Sequence, residues 1–145
     1  MSLTQQCLPV SETTTPCTLP LPLQKVPAGF PSPAADCGEY ALDINDYLVL
    51  HRAASFYFTV AGDSMRGAGI FDGDKVLVDR SVEARHGHIV VAVVNGEYTL
   101  KRFYWHGGTL ELRAENPSYA PIRFSEGAEL RIWGVVVGMV RKYRV

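Results

Sequence analysis

From residue 56 onward the chain is a series of short apolar runs separated by turns rich in glycine, aspartate and asparagine. Runs of this length are typical of strands and are too short for amphipathic helices. Asn95-Gly96 separates two of these runs and is a strong signal for a β-hairpin with a two-residue turn. The pattern predicts a mainly β fold, twisted and partly closed. The predicted strands span residues 56–60, 75–79, 88–94, 97–105 and 109–113, with one or two more over 130–145, where Gly134 and Gly138 are candidate bulges.

The N-terminal segment has a different composition. Residues 1–38 hold seven of the nine prolines, which remove amide donors and oppose both helix and central strand. We therefore expect an extended arm. Asp43 follows it as a suitable N-cap for one short helix over residues 43–50. The predicted organisation is a proline-rich arm over residues 1–42 and a β-rich domain over residues 43–145.

Composition narrows the classes of function. The formal net charge of −1 provides no basic face for sequence-specific DNA binding. No apolar run reaches the roughly 18 residues of a membrane span, and the N-terminus lacks a signal-peptide pattern, so we expect a cytoplasmic protein without membrane contact. Cys7, Cys17 and Cys37 are odd in number and lack CxxC spacing, which argues against a disulfide framework and a zinc site. No cofactor is expected.

The segment Gly62-Asp63-Ser64-Met65 follows an apolar strand and carries a candidate nucleophile, Ser64. For that role the hydroxyl must face a groove, and the backbone amides of Ser64 and Met65 must point at a developing oxyanion. The simpler interpretation is an ordinary turn, since glycine, aspartate and serine dominate turns.

Lys101 lies in a later predicted strand and is the candidate general base. A free lysine has a pKa of about 10.4 and is charged at neutral pH, so it must lose about 3 units, roughly 4 kcal/mol of differential solvation, to act as a base. An apolar strand environment can supply this. The simpler interpretation is an outward lysine on an edge strand.

Spacing alone leaves a histidine-based alternative open, because the order of triad residues along a chain is free. Such a triad would combine Ser64 with one of the four histidines, His51, His86, His88 and His106, and with Asp72, Asp74 or Asp79. His86-Gly87-His88 is a weak candidate metal site, since no cysteine partner lies nearby.

Several segments together resemble the LexA/UmuD self-cleaving family, over roughly residues 26 to 140. The segments are Gly62–Met65, Gly69–Asp79, His86–Ala92 and Gly96–Arg102. Phe30–Asp36, Asn116–Ile122 and Gly134–Val136 resemble the UmuD branch in particular. The residues before Val26 match no part of that pattern.

The resemblance implies a homodimeric β fold in which Ser64 is the nucleophile and Lys101 the general base. It implies self-cleavage between Ala28 and Gly29, a bond between small residues in the arm. It further implies stimulation by a RecA–single-stranded DNA filament during the SOS response. The trimmed dimer would then join a UmuC-type polymerase in error-prone translesion synthesis.

Three alternatives belong to other classes of protein. A LexA-type repressor fragment would need a DNA-binding domain, and the arm is too rich in proline to contain a helix-turn-helix. A signal-peptidase-like enzyme shares the Ser–Lys dyad but would need a membrane anchor. A non-catalytic binding module would keep the fold without the chemistry.

Overall fold

The structure is a computed structural model that describes residues 8–9, 15–34, 38–124 and 130–145. Within these ranges it is mainly β, which confirms the predicted fold class. The strands are β1 (Leu8–Pro9), β2 (Thr18–Pro22), β3 (Glu39–Asp43), β4 (Ser55–Thr59), β5 (Lys75–Asp79), β6 (Ile89–Val94), β7 (Glu97–His106), β8 (Thr109–Arg113), β9 (Ile122–Arg123) and β10 (Leu130–Val140).

The described residues contain one α-helix, α1 (Ile44–Leu48), inside the range predicted from the sequence. Asp43 is its N-cap, as expected: the carboxylate accepts hydrogen bonds from the backbone amides of Asn45 and Asp46 at 2.9 and 3.3 Å. Two short 3₁₀ helices span Arg52–Ala54 and Arg66–Ala68. None of the described helices is long and apolar enough to cross a membrane.

The chain forms two compact units. The smaller unit contains the described residues between 15 and 50, and its strands β2 and β3 pair antiparallel from Thr18 opposite Asp43 to Pro22 opposite Glu39. Among the described strands β2 pairs only with β3, and such an edge position is where proline is tolerated in a sheet. The larger unit contains β1 and the described residues from His51 onward. The domain boundary predicted at residues 42 and 43 stays a prediction.

The sheet of the larger unit is antiparallel and open, in the order β1-β4-β5-β10-β6-β7-β8-β9. The long strand β10 lies near its centre and pairs with both β5 and β6. The register against β6 shifts between Ile132 and Gly134, and the register against β5 shifts between Val136 and Gly138. Both irregularities fall at the glycines that the sequence marked as candidate bulges.

The first bulge allows β10 to contribute to two buried clusters of apolar side chains. Trp133 is the extra residue, and it packs in a cluster with Phe58 and Met65, among others. Ile132 and Val135, on either side of the bulge, pack in the second cluster. Both clusters lie within the larger unit.

The hairpin of β6 and β7 turns at Asn95 and Gly96, as predicted. Both residues have positive φ, 49° and 80°, which a type I′ turn requires. The turn fixes the register of the hairpin and places Lys101 opposite Val90. The side chain of Lys101 is thereby directed into the buried part of the unit.

Candidate active site

Ser64 lies on a turn between β4 and the second 3₁₀ helix, and its neighbours hold that turn in place. Gly62 has a φ of +90° and donates its amide to the carboxylate of Asp72 at 2.8 Å. The side chain of Met65 is 1% exposed and belongs to the first buried cluster. The Met65 carbonyl accepts hydrogen bonds from the amides of Ala68 and Ile70. The backbone next to Ser64 is therefore anchored.

The structure brings Lys101 to Ser64. Lys101 Nζ lies 3.2 Å from Ser64 Oγ and 3.2 Å from the carbonyl oxygen of Leu100. The lysine is 8% exposed. Two residues that are distant in the sequence thus form a hydrogen-bonded pair, with the geometry that a nucleophile and its base require.

The surroundings of Lys101 favour its neutral form. Burial lowers the pKa of its amine below the usual value, because desolvation disfavours the ammonium. No carboxylate of a described residue forms an ion pair with Lys101. An acidic partner would favour the charged form, so a site without one agrees with the direction of the shift.

The backbone amides of Ser64 and Met65 were the candidate oxyanion donors. No described residue accepts a hydrogen bond from either amide. Both N–H groups adjoin the candidate nucleophile, and their role as oxyanion donors stays a prediction.

Ser64 borders a cleft of about 200 Å³ in the larger unit. Buried apolar side chains form part of its wall, together with polar and small residues. The apolar side chains include Phe58, Met65, Val76 and Val91, and the cleft also touches Gly62, Tyr98 and Thr99. The lining is largely apolar with a few polar groups, as is common in ligand-binding pockets.

A loop after β8 supports the Ser64 turn, and reasoning from residue chemistry did not single it out. Asn116 Nδ2 donates to the carbonyl of Asp63 at 3.0 Å, and the Tyr119 hydroxyl donates to the Asp63 carboxylate at 2.6 Å. Asn116 also accepts the amide of Ser118 at 2.9 Å, which is an Asx turn. The sequence Asn-Pro-Ser predicts that turn, but it does not predict the contacts of the loop with Asp63.

None of the four histidines bonds to Ser64 within the described residues. His51 Nδ1 lies 2.7 Å from the Asp79 carboxylate. His86 Nδ1 accepts a hydrogen bond from the backbone amide of Trp105, and His88 Nδ1 accepts one from the backbone amide of Arg85, both at 3.1 Å. His86 and His88 thus form hydrogen bonds with backbone amides. The described residues contain no cluster of three or more metal-ligating side chains.

The candidate cleavage residues Ala28 and Gly29 lie in the smaller unit, at an exposed bend. The ends of their loop are joined by hydrogen bonds from the Leu23 amide to the Gly38 carbonyl, 2.9 Å, and from the Gln24 side chain to the Pro33 carbonyl, 2.7 Å. Cys17 is exposed and has a free thiol. Cys7 and Cys37 lie outside the described residues.

The profile of the Peptidase S24-like family matches residues 20–137 of this chain. The chain belongs to that family. Protein SamA of Salmonella typhimurium is 42% identical over 127 residues, 88% of each chain. Protein MucA of Escherichia coli is 39% identical over 121 residues, 82% of each chain. The LexA repressor of Bordetella avium is 39% identical over 125 residues, which cover 86% of this chain and 58% of the repressor.

Membership confirms the resemblance to the LexA/UmuD family, and the similarity to SamA and MucA over most of the chain places it among the UmuD-like members. As an S24-like peptidase the chain belongs to the serine peptidase class.

Proposed function

We propose that this S24-like chain is a self-cleaving serine endopeptidase that cuts its own Ala28–Gly29 bond. Ser64 is the nucleophile and Lys101 the general base. The observation that carries the proposal is the 3.2 Å contact between Ser64 Oγ and a lysine whose pKa is lowered by burial. The exposed bend that carries the Ala28–Gly29 bond also supports it, since a peptidase needs an accessible substrate backbone.

Catalysis begins with Lys101 neutral. Its Nζ accepts the hydroxyl proton while Ser64 Oγ attacks the carbonyl carbon of Ala28. The amides of Ser64 and Met65 donate to the oxyanion of the tetrahedral intermediate. Lys101 then returns the proton to the leaving amine of Gly29, which leaves Ala28 as an ester on Ser64. Water activated by Lys101 hydrolyses the ester and restores the serine.

The proposed organisation pairs an enzyme with its own substrate. The arm, residues 1–42, supplies the bond to be cut, and the domain over residues 43–145 supplies the dyad. Because both are on one chain, effective concentration replaces binding affinity. Each chain is cut once, so the reaction is a switch rather than a turnover activity.

The biological setting that we propose is SOS mutagenesis. A RecA–single-stranded DNA filament stimulates the cleavage, and the trimmed homodimer becomes an accessory subunit of a UmuC-type translesion polymerase in the cytoplasm. Similarity to SamA, MucA and a LexA repressor supports this setting. The net charge of −1 supports contact with DNA metabolism through proteins rather than through sequence-specific DNA binding.

The test is to incubate the purified full-length chain at alkaline pH and to follow its mass. We expect two products and a new N-terminus at Gly29. Ser64→Ala and Lys101→Ala should each abolish the products. Lys75→Ala is the matched control, since this lysine is exposed and donates to Thr59 instead. A new terminus at another residue would refute the assigned bond.

The cleavage assay and a DNA-binding titration together separate the main alternatives. A non-catalytic binding module would remain uncut under all conditions, with or without a recombinase filament. A repressor fragment would bind a specific operator tightly, which a DNA-binding titration with the full-length chain would detect.

A further inference from the structure

The segment Glu115–Tyr119 contacts the backbone on both sides of Ser64. On the preceding side, Asn116 and Tyr119 both donate to Asp63, at 3.0 Å to its carbonyl and 2.6 Å to its carboxylate. On the following side, the amide of Gly67 donates to the Glu115 carbonyl at 2.7 Å. Asp63 immediately precedes Ser64, so its placement determines where the hydroxyl lies.

The same segment is fixed to the strand that carries Lys101. Arg102, the next residue on β7, forms an ion pair through Nε with the carboxylate of Glu115. Its Nη1 also donates to the carbonyl of Gly87 at 2.6 Å. A continuous set of polar contacts therefore joins the turn of Ser64 to the strand of Lys101, through Asp63, the segment Glu115–Tyr119 and Arg102.

We propose that Asn116 and Tyr119 are positioning residues that hold Ser64 within reach of Lys101. The inference rests on the proposed Ser–Lys chemistry and names the groups that orient it. The hydroxyl of Tyr119 donates to Asp63, the residue before Ser64, and its ring lies 5.9 Å from Lys101 Nζ, so this side chain links the Ser64 turn with Lys101. A misplacement of about 1 Å can slow a reaction on the order of a hundredfold.

The ring of Tyr119 has an effect distinct from that of its hydroxyl. An aromatic face attracts an ammonium and therefore favours charged Lys101. Asp63 and Arg102, the charged residues next to Ser64 and Lys101 in the sequence, have partners among the described residues: Asp63 accepts from Tyr119, and Arg102 pairs with Glu115. β6, which pairs with β7 at Lys101, carries no ionisable side chain. Removal of the Tyr119 ring should therefore change the pKa of Lys101, which tests the contact between the ring and the amine.

The first experiment measures self-cleavage rates of full-length Tyr119→Phe and Asn116→Ala from neutral to alkaline pH. We expect each variant to be slower by roughly tenfold to a hundredfold, with the midpoint of the pH profile unchanged in Tyr119→Phe. Tyr47→Phe is the matched control, because it removes an exposed tyrosine hydroxyl from the smaller unit. Thermal unfolding of each variant verifies that it is folded.

A double-mutant cycle tests the contact itself. If Tyr119 acts through Asp63, then Asp63→Ala combined with Tyr119→Phe should be no slower than Asp63→Ala alone. Comparison of Tyr119→Leu with Tyr119→Phe isolates the ring while an apolar side chain is kept in place. The midpoint should fall by about a few tenths of a pH unit in the leucine variant.

The outcomes are separable. A wild-type chain that never cuts itself refutes the dyad, and the positioning role with it. A wild-type chain that cuts, with Tyr119→Phe and Asn116→Ala at full rate, refutes the positioning role alone. Additive losses in the cycle, or equal midpoints for the leucine and phenylalanine variants, likewise contradict the contacts on which the role depends.

Discussion

Arg141 holds the buried carboxylate of Asp74 with two hydrogen bonds, Nε to Oδ1 at 2.6 Å and Nη2 to Oδ2 at 2.7 Å. Nη2 also donates to the Gly69 carbonyl, and the Phe71 amide donates to Asp74. Arg141 directly follows β10, and Asp74 directly precedes β5. The pair therefore fixes the turn before β5 to the end of the central strand.

This pair should make the stability of the protein sensitive to acid. The hydrogen bond from Arg141 is the main cause that lowers the pKa of the Asp74 carboxyl below its usual value. The folded state then binds this proton less readily than the unfolded state, so the free energy of unfolding falls as the pH drops below about 4. Arg141→Met should lower Tm by several degrees at neutral pH and flatten the acid decline.

Thermal unfolding followed by circular dichroism at a series of pH values measures both effects. Arg144→Met is the control, since this arginine is exposed near the C-terminus. A curve of Tm against pH that runs parallel for Arg141→Met and the unaltered chain would contradict the assignment of acid sensitivity to this pair.

Self-cleavage should accelerate with pH in the absence of any partner. The general base must be neutral, and burial lowers the pKa of Lys101 from the usual lysine value. As the pH rises toward that pKa, the neutral fraction and hence the rate should increase and then level off. Time courses of the full-length chain, analysed by mass, give the profile. A profile that does not change between neutral and alkaline pH would rule out Lys101 as the base.

Burial of Lys101 should also lower the free energy of unfolding at neutral pH. At neutral pH the ammonium is desolvated in the folded state but not in the unfolded state, and stability should rise as the pH climbs from the folded toward the unfolded pKa. Lys101→Met keeps the length of the side chain and removes the charge. We expect Tm to rise by a few degrees at neutral pH while cleavage is lost, with the gain in Tm shrinking at alkaline pH.

Lys75→Met is the control for this trade between stability and activity. Its amine is exposed at the start of β5, so its removal should change Tm by little. A Tm that falls in Lys101→Met would show that the ammonium stabilises the fold, contrary to the effect of burial.

Gly67 is where the 3₁₀ helix after Ser64 meets the loop after β8. A Cβ at this position would lie 2.6 Å from the Glu115 carbonyl oxygen, closer than atoms can approach. Gly67→Ala should therefore displace the loop and, with it, the contacts to Asp63. We expect slower self-cleavage in a chain that remains folded. Arg66→Ala, which shortens an exposed side chain in the same helix, should cut at the normal rate.

Features that depend on a few neighbouring residues could be predicted from the sequence, whereas features that depend on contacts between distant residues could not. The hairpin at Asn95-Gly96, the cap at Asp43 and the bulges at Gly134 and Gly138 arise from local backbone preferences, and the structure has each of them. The pairing of β2 with β3 was not predicted. Prolines at positions 20 and 22 mask the strand pattern, and its partner lies across a long loop.

The site shows the same division. Ser64 and Lys101 were identified from residue chemistry and from the resemblance to a family, and the structure places their side chains 3.2 Å apart. The contact between Tyr119 and Asp63 had no local signal, because the two residues lie 56 positions apart and meet only once the sheet has formed. Contacts between distant loops depend on the tertiary arrangement rather than on periodicity.

A truncated chain that begins at Gly29 should lose only the structure formed by the removed residues. It lacks β1 and β2, so β3 has no partner within its unit, and the amides of residues 39–43 should exchange faster with solvent. Both buried clusters lie in residues 56–136 and remain complete. We therefore expect a folded chain with Tm close to that of the full-length protein. The proposed homodimer should persist, which analytical ultracentrifugation measures.

In cells that contain the UmuC-type polymerase proposed as its partner, this trimmed chain should support damage-induced mutagenesis. Full-length Ser64→Ala should not, because its arm cannot be removed, whereas the trimmed chain with Ser64→Ala should regain activity since cleavage is no longer needed. That third variant separates the switch from any direct role of the serine in the polymerase complex. Full mutagenesis with uncut Ser64→Ala would show that removal of the arm is not what activates the protein.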